Sequence, residues 1–147
     1  MTLRTVGSRL TSESVEDLAT WLQDLAGCPP VNRTVTASCP GPSHDEPATW
    51  FYVEADRAEG VARLRCLGCG HAKPVFDSEA RWTYPPAWSC LNCRQSIAEV
   101  AYGLHVEDGD VTSWTAMGVR CVNCGEIAGV ADFVVPGRPV DEVLASL

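Results

Sequence analysis

Three short steps of the chain share one pattern: Cys66-Leu-Gly-Cys69, Cys90-Leu-Asn-Cys93 and Cys121-Val-Asn-Cys124. In each, two thiols stand three residues apart and an aliphatic residue follows the first. A turn of this length brings both sulfurs to one side while backbone N–H groups point at them, which suits a tetrahedral metal ion. The residue after the second cysteine often needs positive φ, which glycine adopts most cheaply. Gly70 and Gly125 meet that need and Arg94 does not, so some strain is expected in the middle step. The steps begin 24 and 31 residues apart, too uneven for a solenoid. They read as one local structure, used wherever metal is held.

Eight cysteines in 147 residues could also mean disulfides. The segment MTLRTVGSRLTSESVEDLATW has no apolar stretch followed by a cleavage pattern, and no apolar run is long enough to span a membrane. A cytoplasmic, reducing setting is therefore expected, where CxxC pairs favour metal binding first, and redox dithiol chemistry second, over structural bridges. Net charge is −8, from 11 basic and 19 acidic residues. An acidic body repels phosphate backbones, which disfavours nucleic acid and favours a protein partner. Arg63, Arg65 and Arg120 lie just ahead of CxxC steps and read as solvated strand residues.

Along the chain, residues 1–11 read as a loose tail. Ser14 is a good N-cap, with Asp17 three residues on completing a box-like pair. Val15, Leu18, Leu22 and Leu25 recur at helical spacing, and the helix is expected to stop at Gly27 before Pro29 and Pro30. A β-branched segment follows in VNRTVTASC. TWFYVEAD and VARLRC then read as a hairpin that delivers Cys66, with Phe51, Val53 and Ala55 on one face. The stretch HAKPVFDSEARWTYPPAW is linker-like. Its Trp82, Tyr84 and Trp88 read as packing residues, with a contact surface as the sharper alternative. Beyond it, IAEVAYGLHV places Ala98, Val100, Tyr102, Leu104 and Val106 on one face, EDGD turns the chain, and VTSWTAMGVRC returns to Cys121. IAGVADFVV is a further strand. Pro139 opens a short helix whose Val140, Val143, Leu144 and Leu147 share a face.

Between Cys93 and Cys121 lie 27 residues, enough for a hairpin that returns the third knuckle to the second. Cys90, Cys93, Cys121 and Cys124 are therefore one expected ligand set. This arrangement, over about residues 86–135, resembles the zinc-ribbon family, including rubredoxin-like proteins. The resemblance implies a few antiparallel strands capped by one four-cysteine zinc. Upstream, Cys39 and His44 stand where a first knuckle would be, so Cys39, His44, Cys66 and Cys69 read as a degenerate ribbon that departs from the family's paired CxxC pattern. Cys28 or His71 could replace His44, and Cys66/Cys69 could instead pair with Cys90/Cys93. Otherwise Cys28 reads as a buried or spare thiol, His71 as a hydrogen-bonding neighbour of the metal site, and His105 as solvent-facing.

The expected class is α+β: small antiparallel sheets in two zinc-ribbon units with short terminal helices. The divisions are 1–30 tail and helix, 31–72 first ribbon, 73–88 linker, 89–136 second ribbon, and 137–147 helix. Four protein ligands per ion mark structural rather than catalytic zinc. His44-Asp-Glu46 ahead of Cys66-Leu-Gly-Cys69 gives half of a zinc-deaminase signature, but Arg65 stands where its proline belongs. The expected function is a non-catalytic protein-interaction or regulatory adapter holding two Zn2+. The alternatives are a rubredoxin-like iron electron carrier and a nucleic-acid-binding, transcription-associated ribbon.

Overall fold

The computed structural model describes residues 4–6, 9–24, 29–41 and 45–147. In chain order the elements are β1 (Arg4–Val6), β2 (Arg9–Thr11), α1 (Val15–Gln23), β3 (Arg33–Thr36), β4 (Phe51–Asp56) and β5 (Val61–Cys66). They continue with β6 (Ala72–Pro74), β7 (Ile97–Glu107), β8 (Val111–Cys121), β9 (Ile127–Pro139) and α2 (Val140–Ala145). The class is α+β, dominated by antiparallel strands, with two short helices among the described residues.

The alternating segments form the strands expected of them. β7 and β8 pair from Ala98↔Cys121 to Glu107↔Val111, with a register shift after His105. β4 and β5 pair from Phe51↔Cys66 to Asp56↔Val61. Ser14 caps α1, its hydroxyl accepting from the Asp17 N–H. At the other end, Val140 and Val143 of α2 are buried. The predicted stop at Gly27 lies outside the described residues, as do Leu25 and Cys28.

The strands assigned to two ribbons are hydrogen-bonded into one sheet of order β6-β5-β4-β7-β8-β9, with β3 also on β7. One edge of β7 serves two strands in succession: Ile97 and Ala98 pair with β4, and Ala101 through Leu104 pair with β3. β4 pairs with β7 at only two positions and then leaves it. The tip of the β4–β5 hairpin reaches β9, where a Cβ built on Gly60 would lie 3.2 Å from the Asp132 carbonyl oxygen. Phe51, Val53, Ala62 and Leu64 thereby share one core with Val100, Tyr102, Met117, Val119 and Phe133. A second core lies on the opposite face, where Leu18 and Leu22 of α1 cover Ala101 and Ala116. The helix comes this close because Gly103 and Gly118 have no side chains: a Cβ would sit 3.3 Å from Leu22 Cβ at position 103 and 3.0 Å from Leu18 Cδ1 at position 118.

The stretch read as a loose tail contains the β1–β2 hairpin. Its three-residue strands are too short for period-two alternation to register, and tertiary contacts hold the chain just after them. Thr11 bridges to Glu126, and the Ser12 N–H donates to the Gly125 carbonyl at 2.8 Å. The stretch 75–89 lies along the β4–β5 hairpin. Ser78 Oγ accepts from the Ala62 N–H, and the Trp88 N–H donates to the Val53 carbonyl.

Candidate metal centres

The three knuckles have one backbone design. The N–H four residues after the first cysteine donates back to that cysteine's carbonyl, from Gly70 to Cys66, Arg94 to Cys90 and Gly125 to Cys121, at 2.8–2.9 Å. The first cysteine's own N–H donates to the carbonyl one residue further on: His71, Gln95 and Glu126. Its sulfur accepts from the two backbone N–H groups ahead of it: Gly68 and Cys69 for Cys66, Asn92 and Cys93 for Cys90, Asn123 and Cys124 for Cys121. The residue closing each turn has positive φ: Gly70 at 75°, Arg94 at 65° and Gly125 at 81°. Arg94 thus adopts the glycine conformation at a steric cost of about 1 kcal/mol or more. Gly125 has a second constraint, since a Cβ on it would fall 2.4 Å from the Ser12 carbonyl oxygen.

The hairpin β7–β8 brings the second and third knuckles together. Cys121 ends β8 opposite Ala98, and the Val122 N–H donates to Ile97 at the base of β7. The sulfurs of Cys90, Cys93, Cys121 and Cys124 all lie within 4.8 Å of one another. Cys90–Cys124 and Cys93–Cys121 are each 3.5 Å apart. A tetrahedron of thiolates at about 2.3 Å from a central zinc has edges of about 3.8 Å, so the donor set has the required size and chemistry. Cys90 and Cys121 are fully buried, and Cys93 and Cys124 half-buried.

The other cluster joins Cys39, Cys66 and Cys69, with the Cys39 and Cys69 sulfurs 3.8 Å apart. Cys39 is held by a bridge to Ala48, and its sulfur accepts from the Gly41 N–H, a knuckle-like contact without a second cysteine. His44, the predicted fourth ligand, lies outside the described residues. His71 lines the same cavity as Cys39 and Cys66. Both clusters can hold a metal ion.

Thiol acidities divide within each cluster. The Asn123 side chain and the Gln95 N–H pull Cys93 down to about 6. Burial raises Cys66, but the N–H groups of Cys69 and Gly68 outweigh it and bring that thiol to about 7. Burial pushes Cys121 up, and it pushes Cys90 well above the ordinary thiol range with help from Glu126. The Cys90 thiol donates to Glu126 Oε2 at 3.0 Å, a carboxylate contact that was not anticipated. Setting the three knuckles side by side one residue beyond the positive-φ position would have brought out the equivalent trio His71, Gln95 and Glu126.

The arginines ahead of the knuckles are more engaged than solvated strand residues. Arg63 pairs with Glu54 at 2.9 Å and Arg120 with Glu99 at 2.8 Å. Arg120 Nε also donates to the Ser12 carbonyl, tying the N-terminal segment to the third knuckle. Exposed Arg65 donates to the Gly70 carbonyl. His105 donates from Nδ1 to the Pro30 carbonyl at 2.7 Å. No helix among the described residues is long and apolar enough to cross a membrane. Compared with models of protein families, with curated proteins and with solved structures, the chain matches none.

Proposed function

We propose that the chain is a non-catalytic binding module folded around two structural zinc ions, in two ribbon-like halves, with a protein as its partner. The observation that carries this reading is the tetrahedral spacing of the Cys90, Cys93, Cys121 and Cys124 sulfurs, two of them fully buried. Four protein thiolates around one ion leave no position for substrate or activated water, and so favour a structural role. Thiolates select soft or borderline ions such as zinc. Binding would supply folding free energy of about 10 kcal/mol per ion on the scale of isolated zinc peptides. Cys39, Cys66 and Cys69 hold the other ion, with His44 as the expected fourth ligand. Beside that centre stand the exposed side chains Trp50 and Leu67, apolar surface of the kind partners cover.

The test is elemental analysis with a visible spectrum, on protein purified without added metal or a metal-binding tag. Two zinc equivalents and no colour support the reading and direct the search to protein partners. Iron with thiolate charge-transfer bands would replace it with a rubredoxin-like electron carrier. One zinc equivalent would remove the centre assigned to Cys39, His44, Cys66 and Cys69.

A further inference from the structure

The segment between the two halves builds a site of its own. A cavity of 570 Å³ opens at the β5–β6 edge, and its polar and aromatic walls are Arg63, His71, Lys73, Glu79, Trp82 and Tyr84. Lys73 is the chain's one lysine, in a molecule of net charge −8. It donates a hydrogen bond to a main-chain oxygen of Leu147, which anchors its ammonium. Exposed Arg65, two residues along β5 from Arg63 and paired opposite Ala72 of the cavity wall, adds a further cation and donates to the Gly70 carbonyl.

The aromatic wall is preorganised. Arg63 lies 4.5 Å over the Trp82 ring and is itself held by three hydrogen bonds to Glu54. Trp82 and Tyr84 meet edge to face, with centroids 6.4 Å apart at 71°. Tyr84 is 85% exposed, the most exposed of the large apolar side chains among the described residues. It also has a φ of 54°, immediately before Pro85. Both features cost free energy: positive φ is strained for a tyrosine, and a proline disfavours helical backbone in the residue before it. Strain of this kind clusters at ligand clamps and other functional sites. The Trp82 Nε1–H is buried with no acceptor among the described residues.

From these features we infer that this cavity binds a nucleoside phosphate, its base stacked on the exposed Tyr84 ring beside Trp82 and its phosphate met by Lys73 and Arg65. The volume admits one nucleotide and the cations select an anion. A bare phosphate or an acidic peptide would leave the aromatic wall unused. A methylated ammonium would use the aromatics but face Lys73 and Arg63. Glu79 gives an acceptor for a base's amino group. A free nucleotide and one unit of a single strand present the same chemistry, and the experiment separates them. The inference does not depend on which metal the cysteines hold.

The metal-loaded full chain is titrated with adenosine and guanosine 5′-monophosphates, and with ten-nucleotide single strands of the same bases, following tryptophan fluorescence and heat. Saturable binding is expected. Tyr84→Ala should weaken it about tenfold, in the range of one lost base–aromatic stack. Lys73→Gln should weaken it severalfold and, for the strand, reduce the slope of log K against log salt by about 0.7. Mononucleotide binding as tight as the strand's identifies the free nucleotide as the ligand. Binding that requires the strand identifies nucleic acid. Absence of saturation by about 1 mM overturns the inference. So does affinity indifferent to Tyr84→Ala, or equal affinity for an oligo-aspartate of matched charge. Tyr84 is exposed enough that its truncation should leave the fold intact, which unchanged metal content and melting temperature verify.

Discussion

Glu126→Gln should make the C-terminal centre hold its metal more tightly. In the metal-free chain the Cys90 thiol donates to Glu126 Oε2 at 3.0 Å. Loading a metal removes that proton, because the ligand is the thiolate. The contact then sets two negative groups against each other. At 3.0 Å and an effective dielectric of about 20, the repulsion of two unit charges is about 5.5 kcal/mol. Glu126 is half-buried and can turn outward. At a separation of about 6 Å and a dielectric of about 40, roughly 1.4 kcal/mol remains. The wild-type chain takes the cheaper arrangement and the ion's own charge offsets part of the repulsion, so about 1.4 kcal/mol, or tenfold in affinity, is the most that its relief contributes. The amide can also donate an N–H to the sulfur. The backbone bond from the Cys121 N–H to the Glu126 carbonyl is common to both side chains. The assay is competition of wild type and variant against a chromophoric chelator at neutral pH, with the dissociation rate followed in parallel. A correctly folded Glu126→Gln that holds metal equally or more weakly would refute the argument. It would show that the carboxylate supports the loaded centre, for instance as an oxygen ligand.

The positive-φ positions should respond in opposite directions. Arg94→Gly should raise stability by about 0.5–1 kcal/mol as strain relief exceeds glycine's backbone entropy, while Gly125→Ala should cost about 2 kcal/mol or more, given the Ser12 carbonyl 2.4 Å from its Cβ; thermal melts at fixed metal concentration measure both. In the reduced, metal-free chain, Cys93 should be alkylated first, at a rate that climbs as pH rises through about 6, with Cys66 following near 7 and Cys90 and Cys121 protected. Because Cys93 and Cys66 are lowered from 9.0, their contribution to the metal-free fold is complete above that value and is lost as pH falls through about 7 and then about 6. Mass spectrometry of the alkylated peptides reads the order, and labelling of Cys90 first would contradict it. Cys121→Ser should lower the melting of the whole sheet in one step rather than releasing one half, since Phe51 and Val53 share a core with Val119 and Phe133; two separated calorimetric transitions would show otherwise.

What the sequence disclosed follows from which interactions are local. The Ser14 cap, the hairpins around the 57–60 and 107–110 turns and the three knuckles are each specified within a few residues, so spacing and side-chain type were enough to read them. The joining of β4 to β7 rests on two residue pairs between segments more than 40 positions apart, and no pattern in either segment announces it. The second face of β7 was hidden for a different reason. Ala101 and Gly103 carry little hydrophobic signal, yet a Cβ at 103 would meet Val31 at 2.8 Å and Leu22 of α1 at 3.3 Å, so this face is buried by close fit to α1 and to the segment before β3 and not by apolar bulk. The knuckles show a third case. Their cysteines mark where a metal ion can be held, but the residue one step beyond each turn, His71, Gln95 or Glu126, falls at an equivalent backbone position with different chemistry. At Glu126 that position reaches Cys90, and His71 lines the cavity that includes Cys39. The repeated backbone makes the centres alike, and these three side chains are where one centre can be made to differ from the other.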